Sequence, residues 1–228
     1  LISLFIFWEI MAVASTVVVL SAGGKRSYQI SMRYFFVHVF GGTLLLIGIL
    51  SHIVDTGSTA FTAMEPNTFG TIFILMGFLI NAAAPPLSAW LSDAYPEASF
   101  SGAVFLSAFT TKAAVYVLLR GFPGTEVLIF IGVFMIFYGI IYALLENDMR
   151  RILAYSIVNQ VGFMVTGVGI GTEMALNGVA AHAFTHIIYK GLLLMSAGSV
   201  LYMTGRRKCT DLGGLFQSMP LTAFCSII

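Results

Sequence analysis

The feature that most limits this fold is a series of long, almost uncharged apolar runs. Seven stretches have the length and composition of membrane-spanning helices, or nearly so: 1–21, 34–54, 68–84, 101–120, 126–146, 151–171 and 175–203. An eighth begins near residue 219. A helix needs about 20 mostly apolar residues to cross about 30 Å of hydrocarbon. Because the runs are continuously apolar and do not alternate, they predict an all-α, multi-pass membrane protein with seven to eight transmembrane helices.

The amino-acid composition argues against a soluble domain and against several classes of function. Of the 228 residues, 58% are hydrophobic and 9% are charged, whereas soluble domains are about 25% charged. The net charge of +1 comes without a basic stripe, which argues against nucleic-acid binding. Cys209 and Cys225 stand alone and predict neither a metal site nor a disulfide framework. The sequence lacks nucleotide-binding loops and haem or iron–sulfur patterns, so we expect no cofactor in this chain.

The ends of the sequence indicate a fragment, and its charged loops indicate an orientation in the membrane. It begins and ends inside apolar sequence, so we expect a fragment of a longer membrane protein. Eight cations fall on one predicted side of the membrane, and only Arg120 falls on the other. The eight are Lys25, Arg26, Arg33, Arg150, Arg151, Arg206, Arg207 and Lys208. Because basic loops stay in the cytoplasm, we expect the first helix of this cell (inner) membrane protein to start outside and the Arg206–Lys208 loop to face the cytoplasm.

Two ionisable residues lie inside apolar runs, where each costs on the order of 3 kcal/mol and usually marks a pathway. Glu9 follows Trp8 in the first run and has no partner nearby in sequence. It is either a relay group, an acid paired with another helix, or an interfacial residue beneath Trp8. Lys112 lies well inside the run 101–120. It is either a proton-exchanging group or one half of a structural salt bridge to Glu9.

Three further polar residues recur at intervals of four in the last long run: His182, His186 and Lys190. Each step of four turns about 40° around a helix, so all three share one stripe. Histidine titrates near neutral pH and a buried lysine can be brought there, so the stripe predicts a proton relay. A structural polar stripe remains open. A metal site is disfavoured, because the histidines stand beside a cationic lysine and have no carboxylate or cysteine nearby. The lone, glycine-flanked His38 is more typical of a packed residue.

These residues stand in motifs that resemble one family, the antiporter-like subunits of respiratory complex I and of Mrp-type multisubunit cation/proton antiporters. The matching stretches are PLSAWLSDAY at 86–95, TKAAVYVLLR at 111–120, DMRRILAYS at 148–156, and the histidine–lysine stripe followed by SAGS at 196–199. Taken together, these motifs are most similar to those of the D-type Mrp subunits. The resemblance implies part of a fourteen-helix subunit built from inverted repeats. Residues 1–146 would hold most of the first repeat and 151–228 the start of the second. The stretch from Trp90 to Glu97 is expected to be a linker, with a short interfacial turn at 87–91.

The resemblance also implies roles and partners. Glu9, Lys112, His182, His186 and Lys190 match the family's relay positions. The implied function is translocation of protons and of Na⁺ or another monovalent cation, in a hetero-oligomer with other membrane subunits. Two alternatives stay open. One is a proton-pumping subunit of an NADH–quinone oxidoreductase or a membrane-bound hydrogenase complex. The other is a structural subunit without transport.

One position departs from the family pattern. In the family that this chain resembles, a lysine that pairs with the glutamate stands five residues before the proline that matches Pro86. This chain has Asn81 at that position. An asparagine hydrogen-bonds but carries no proton charge. The pairing site of Glu9 is therefore altered. We expect a salt bridge between Glu9 and Lys112; the alternatives are a neutral, hydrogen-bonding Glu9 or a site that coordinates a different cation.

Overall fold

The computed structural model describes residues 1–227, and this part of the chain is helical with no β-strand. The helices are α1 (Ile2–Leu20), α2 (Gly24–Thr56), α3 (Phe69–Asn81), α4 (Ala89–Glu97), α5 (Phe100–Gly121), α6 (Val127–Leu145), α7 (Met149–Ile170), α8 (Glu173–Thr204), α9 (Leu215–Ser218) and α10 (Pro220–Ile227). Six of them, α1, α2 and α5 to α8, are long and apolar enough to cross a membrane, and α3 is a shorter apolar helix. The predicted all-α multi-pass class is confirmed.

The helix bounds differ from the prediction in three places. The run expected from residue 34 is helical from Gly24, because its polar first part forms ion pairs outside the apolar span. The run expected to end at 84 is helical only to Asn81. The segment near 219 forms two short helices, α9 and α10.

A buried, non-helical turn separates α3 from α4. After Asn81 the backbone turns at Ala83, which has φ 59°, and passes a cis bond between Pro85 and Pro86. Non-helical backbone at membrane depth is tolerated where it is enclosed by protein, and Ala83 is fully buried. The Trp90 indole donates a hydrogen bond of 3.0 Å to the Ile80 carbonyl, which also accepts from the Ala83 backbone N–H at 3.1 Å.

The expected interfacial turn at 87–91 is wrong. The stretch from Trp90 onward is helix α4, and both Trp90 and Leu91 are buried in the protein interior. The reason is local: the tryptophan side chain caps the broken end of α3, and α4 packs against α2 and α7.

Close helix packing relies on glycines. At the α6–α7 contact, a Cβ built on Gly132 would lie 2.7 Å from the Gly162 carbonyl oxygen. At the α2–α3 contact, a Cβ on Gly48 would lie 2.7 Å from the Gly70 carbonyl oxygen. Small residues let helix backbones approach in a membrane, where apolar burial between helices gives little driving force. The outer face of α6 exposes large apolar side chains such as Phe130 to the surroundings.

Ion pairs tie one end of the bundle together. The Arg207 guanidinium lies 2.7 Å from the Glu97 carboxylate and also contacts Asp148, which caps the start of α7. Arg26 lies 3.2 Å from the same Glu97 carboxylate. Burial alone would lower the pKa of Arg207, but the hydrogen bonds and charges of Glu97 and Asp148 outweigh it and raise that pKa. Four of the eight cations that the sequence assigned to one side are thus paired at one end with acids of α4 and of the segment between α6 and α7.

Candidate functional site

Lys112 lies in the middle of α5 and is 7% exposed. Its ammonium donates to the Ser107 carbonyl at 2.8 Å and contacts the Thr111 hydroxyl at 3.2 Å. Both partners belong to the same helix and both are neutral. Within residues 1–227, Lys112 has no carboxylate within salt-bridge distance.

Lys190 repeats this arrangement on α8. It is 2% exposed, and its ammonium donates a hydrogen bond of 2.8 Å to the Ser156 hydroxyl of α7. In the part of the chain that the structure describes, Lys190 also has no carboxylate partner. Two buried amines therefore rest on neutral oxygen acceptors.

The histidines of α8 precede Lys190 on the same helix, and α8 packs against α5. His186 is fully buried, and neither of its ring nitrogens has a hydrogen-bond partner. Its ring lies 6.1 Å from that of His182 and 5.0 Å from that of Tyr189. The charges of Lys112 and Lys190 both act on it. The structure thus brings Lys112 of α5 beside the predicted stripe of α8. We call Lys112, His182, His186 and Lys190 the amine cluster.

Glu9 lies elsewhere, on α1 against α2. One of its carboxylate oxygens is buried without a hydrogen-bond partner. The carboxylate lies so close to Gly42 that a Cβ at that position would overlap it. The expected salt bridge to Lys112 is wrong: within the described residues Glu9 has no cationic group within 4.0 Å. Glu9 points at the glycine surface of α2, and the Lys112 ammonium is occupied by α5 itself.

Asn81, the departure from the family pattern, ends α3 and is 2% exposed. Both polar atoms of its amide lack a hydrogen-bond partner. The amide faces the ring of His38 on α2, whose Nε2 also has no partner. The sequence alone predicts only a packed residue at His38. The available signal was its spacing of four from Gly42, which places both on one face of α2. We call Glu9, His38 and Asn81 the acid cluster.

In the described residues, no group of three or more histidine, cysteine or carboxylate side chains converges as a metal site would require. Both cysteines are free and exposed. The chemistry that the two clusters support is therefore that of protonation, hydrogen bonding and charge.

Comparisons with known proteins agree with this architecture. The fold and its buried ionisable groups define a multi-pass helical membrane protein with charged side chains between its helices. The chain belongs to the family described as NADH:quinone oxidoreductase/Mrp antiporter, TM, which it matches over residues 1–228. This confirms the resemblance drawn from the sequence motifs.

Individual relatives come from both branches of that family. The chain is 30% identical to the D subunit of the Na(+)/H(+) antiporter of Alkalihalophilus pseudofirmus, over 100% of this chain and 50% of that protein. It is 32% identical to the N subunit of the NADH-quinone oxidoreductase of Desulforudis audaxviator, over 97% of this chain and 48% of that protein. A chain of the Mrp complex from Dietzia sp. superposes with a TM-score of 0.90 at 25% identity, over 98% of this chain and 45% of that one. The chain thus spans about half the length of these relatives.

Proposed function

We propose that this protein is a proton- and monovalent-cation-translocating membrane subunit of an Mrp-type multisubunit cation/proton antiporter. In this proposal Glu9, Lys112, His182, His186 and Lys190 form the relay. The transported ions are H⁺ and Na⁺ or another monovalent cation. Its partners are other membrane subunits of the complex, as the names of its relatives suggest.

The observation that carries the proposal is the pair of buried lysines with neutral partners. A lysine in an apolar span is costly and usually functional. Breaking a buried salt bridge from one side costs about 3–5 kcal/mol, so such a pair holds its charge in place. Lys112 and Lys190 instead rest on a carbonyl and on hydroxyls. Each amine can therefore exchange a proton without separating an ion pair.

A second candidate is a proton-pumping subunit of an NADH–quinone oxidoreductase or hydrogenase-type complex. The 32% identity to the N subunit of such an oxidoreductase favours it. The two candidates differ in their driving force. An Mrp-type subunit moves protons when a cation gradient is imposed, whereas a pump moves them only when electrons flow in partner subunits.

The repeat organisation is part of the same proposal. Residues 1–146 form most of the first inverted repeat, and 151–228 begin the second. The support for it is that the chain covers half or less of the relatives' length while matching them over nearly all of its own.

The test uses the full-length protein in its complex, in everted membrane vesicles with a pH-sensitive dye. A Na⁺ pulse without electron donor is expected to move protons in the wild type. Lys112→Ala is expected to lower that activity by more than about tenfold, as loss of a proton-transfer group does. The matched control is Lys25→Ala, since Lys25 is exposed at the start of α2. A native gel verifies assembly of each variant.

The outcomes separate the candidates. Proton movement that appears only with an electron donor supports the pumping subunit. Absence of proton movement under both conditions supports a structural subunit. Normal transport by assembled Lys112→Ala leaves that lysine a structural residue.

For orientation, we propose that α1 starts outside the cell inner membrane and that the Arg206–Lys208 loop is cytoplasmic. The cluster of cations at one end supports this through the positive-inside tendency. A membrane-impermeant thiol reagent on intact cells should label Ser58→Cys and spare Cys209, which is exposed at the opposite end. The reverse labelling pattern contradicts the proposed orientation.

A further inference from the structure

Arg150 is a buried cation at the charged end of the bundle, and among the described residues no carboxylate lies within 4.0 Å of it. It is 3% exposed and lies in the first turn of α7. Its Nη2 lies 3.0 Å from the Ala98 carbonyl oxygen, 3.3 Å from that of Tyr95 and 3.4 Å from that of Ser99. The guanidinium also lies 5.8 Å from the centre of the Phe100 ring. One arginine of α7 thus contacts the whole junction between α4 and α5.

The contacts of Arg150 fall where the backbone lacks donors. Helix α4 ends at Glu97, and the last carbonyls of a helix have no partner within the helix. The same end of a helix carries partial negative charge, so a cation is stabilised there. An arginine does not lose its proton in a protein. Arg150 is therefore a fixed donor and cannot itself be a member of a proton relay.

Tyr95 extends this contact from α4 to α5. Its backbone carbonyl is bound by Arg150, and its hydroxyl donates a hydrogen bond of 2.9 Å to the Leu106 carbonyl of α5. The side chain is fully buried, and its ring meets the Trp90 ring edge-on with the centroids 6.1 Å apart. The same phenol faces the hydroxyl of Thr111. Tyr95 thus connects the end of α4 to the part of α5 between residues 106 and 111.

The two contacts of Tyr95 on α5 adjoin both acceptors of Lys112. The ammonium donates to the carbonyl of Ser107, the residue after Leu106, at 2.8 Å. It also contacts the Thr111 hydroxyl, which the Tyr95 phenol faces, at 3.2 Å. Successive carbonyls of a helix are held in a constant geometry relative to one another. A hydrogen bond that fixes the Leu106 carbonyl therefore also restrains the Ser107 carbonyl to which Lys112 is bound.

We propose that Arg150 and Tyr95 are positioning residues for Lys112. Arg150 holds the end of α4, and Tyr95 transmits that restraint to the oxygens that accept from the ammonium. The assignment rests on the proposed ion-transport function, in which Lys112 transfers protons. Neither Arg150 nor Tyr95 gains or loses a proton in this role. They keep the acceptors of α5 in place while the amine changes its protonation, since proton transfer requires its groups within hydrogen-bond reach.

The first test removes one hydroxyl and keeps the aromatic ring. Tyr95→Phe in the full-length protein, assembled in its complex, is expected to lower Na⁺-driven proton transport about fivefold, as the loss of one hydrogen bond of ordinary strength does. Tyr116→Phe is the matched control. Tyr116 lies on α5 one turn beyond Lys112, but it is 54% exposed and its hydroxyl is bound to Arg120. The control should stay within about twofold of wild type.

The pH dependence of transport distinguishes positioning from a loss of folded protein. Transport is measured per assembled complex, with the amount of complex taken from a native gel. A smaller number of intact complexes lowers transport by the same factor at every pH. A change at the acceptors of Lys112 instead moves the pH of half-maximal transport, by about 0.5 unit or more. For Tyr95→Phe, an unshifted pH profile, or transport per complex within about twofold of wild type, overturns the assignment.

A second variant tests whether Arg150 acts through Tyr95. Arg150→Lys keeps the charge but replaces the planar guanidinium with a single ammonium, which cannot make the same set of contacts. It should lower transport per complex at least about threefold in the wild-type background and less than about twofold in the Tyr95→Phe background. Arg206→Lys is the control, since the exposed Arg206 also donates from its guanidinium to a backbone carbonyl, that of Asp211. Equal losses in the two backgrounds overturn the role of Arg150.

The outcomes also separate this assignment from the proposed function. Absence of Na⁺-driven transport in the wild type would contradict the proposed function. Loss of transport in Lys112→Ala, together with an unchanged Tyr95→Phe variant, would keep that function and overturn only the positioning role. If Arg150→Lys does not assemble, the isosteric Tyr95→Phe variant decides the assignment by itself.

Discussion

The acid cluster and the amine cluster occupy the same helical bundle but have opposite chemistry. The acid cluster contains a carboxylate, an imidazole and an amide but no amine, and four of its buried polar atoms have no hydrogen-bond partner. The amine cluster contains Lys112 and Lys190, each hydrogen-bonded to neutral oxygens, with His186 beside them. The acid and the amines are therefore kept apart instead of being joined as a salt bridge.

This separation indicates how a buried amine can carry a charge and still release its proton. A buried ion pair is stable as a pair but costs about 3–5 kcal/mol when one member is lost. Hydrogen bonds from an amine to neutral acceptors are weaker, at about 1.5–3 kcal/mol for a charged group. A relay needs groups that change protonation during each cycle. Among the described residues, no carboxylate lies within 4.0 Å of either lysine of the amine cluster, which is consistent with the relay proposed above.

The largest expected effect comes from adding the missing counter-charge to the amine cluster. Thr111→Asp places a carboxylate where the Thr111 hydroxyl now lies 3.2 Å from the Lys112 ammonium. The new buried pair should hold Lys112 in its charged form and reduce transport by about a hundredfold or more. The measurement is Na⁺-driven proton movement in everted vesicles, with assembly verified on a native gel.

Thr111→Asn is the matched control, because asparagine has nearly the same shape as aspartate and no charge. It should retain most of the activity that Thr111→Asp loses. If both variants are equally inactive, the loss arises from removal of the hydroxyl or from packing. Transport would then not depend on whether Lys112 has a carboxylate partner.

A smaller effect is expected from removing a neutral acceptor. Ser156→Ala takes away the hydroxyl that accepts the 2.8 Å hydrogen bond of Lys190. The loss of about 1.5 kcal/mol of charge-assisted hydrogen bonding should lower transport by about tenfold. Ser199→Ala is the control, since Ser199 of α8 is exposed and bonds only its own helix. Equal activity of the two variants would show that Lys190 does not depend on its hydroxyl partner.

The two clusters also differ in how far the sequence could predict them. The helices follow from apolar runs of spanning length, which physical chemistry restricts to helices in a membrane. Lys112 and the stripe of α8 follow from the cost of ionisable groups in hydrocarbon. Periodicity placed His182, His186 and Lys190 on one face, and the structure adds that α5 brings Lys112 to that face.

The acid cluster could not be predicted in the same way. Sequence shows that Glu9 and Lys112 lie inside apolar runs but not which helix each one faces. The contact between Glu9 and Gly42 depends on the relative rotation of α1 and α2. His38 is a single histidine whose free nitrogen becomes evident only once Tyr34 is seen to accept from the other one. The end of α3 at Asn81 is followed by a turn at Ala83 and is contacted by the Trp90 indole, and neither feature is evident from the apolar run.

The smallest expected effect concerns the stability of the acid cluster. If Glu9 were paired with a buried cation, replacing it by the nearly isosteric glutamine would cost about 3–5 kcal/mol. The structure gives Glu9 no such partner within residues 1–227. Glu9→Gln should therefore change the free energy of unfolding by less than about 1 kcal/mol and shift the thermal midpoint by no more than about 4 °C. The measurement is thermal unfolding of the purified full-length protein in detergent, followed by size-exclusion chromatography.

Two glycine variants provide reference values for the stability change of Glu9→Gln. Gly42→Ala adds a Cβ that overlaps the Glu9 carboxylate, and such overpacking costs about 1–3 kcal/mol. Gly178→Ala adds a Cβ to an open helical position with nothing within 4 Å and should be nearly neutral. A Glu9→Gln variant that unfolds at least as readily as Gly42→Ala would mean that the carboxylate is held by a counter-charge after all. A midpoint close to that of Gly178→Ala would instead leave the acid as a group that can gain and lose its proton without disturbing the fold, as its place in the proposed relay requires.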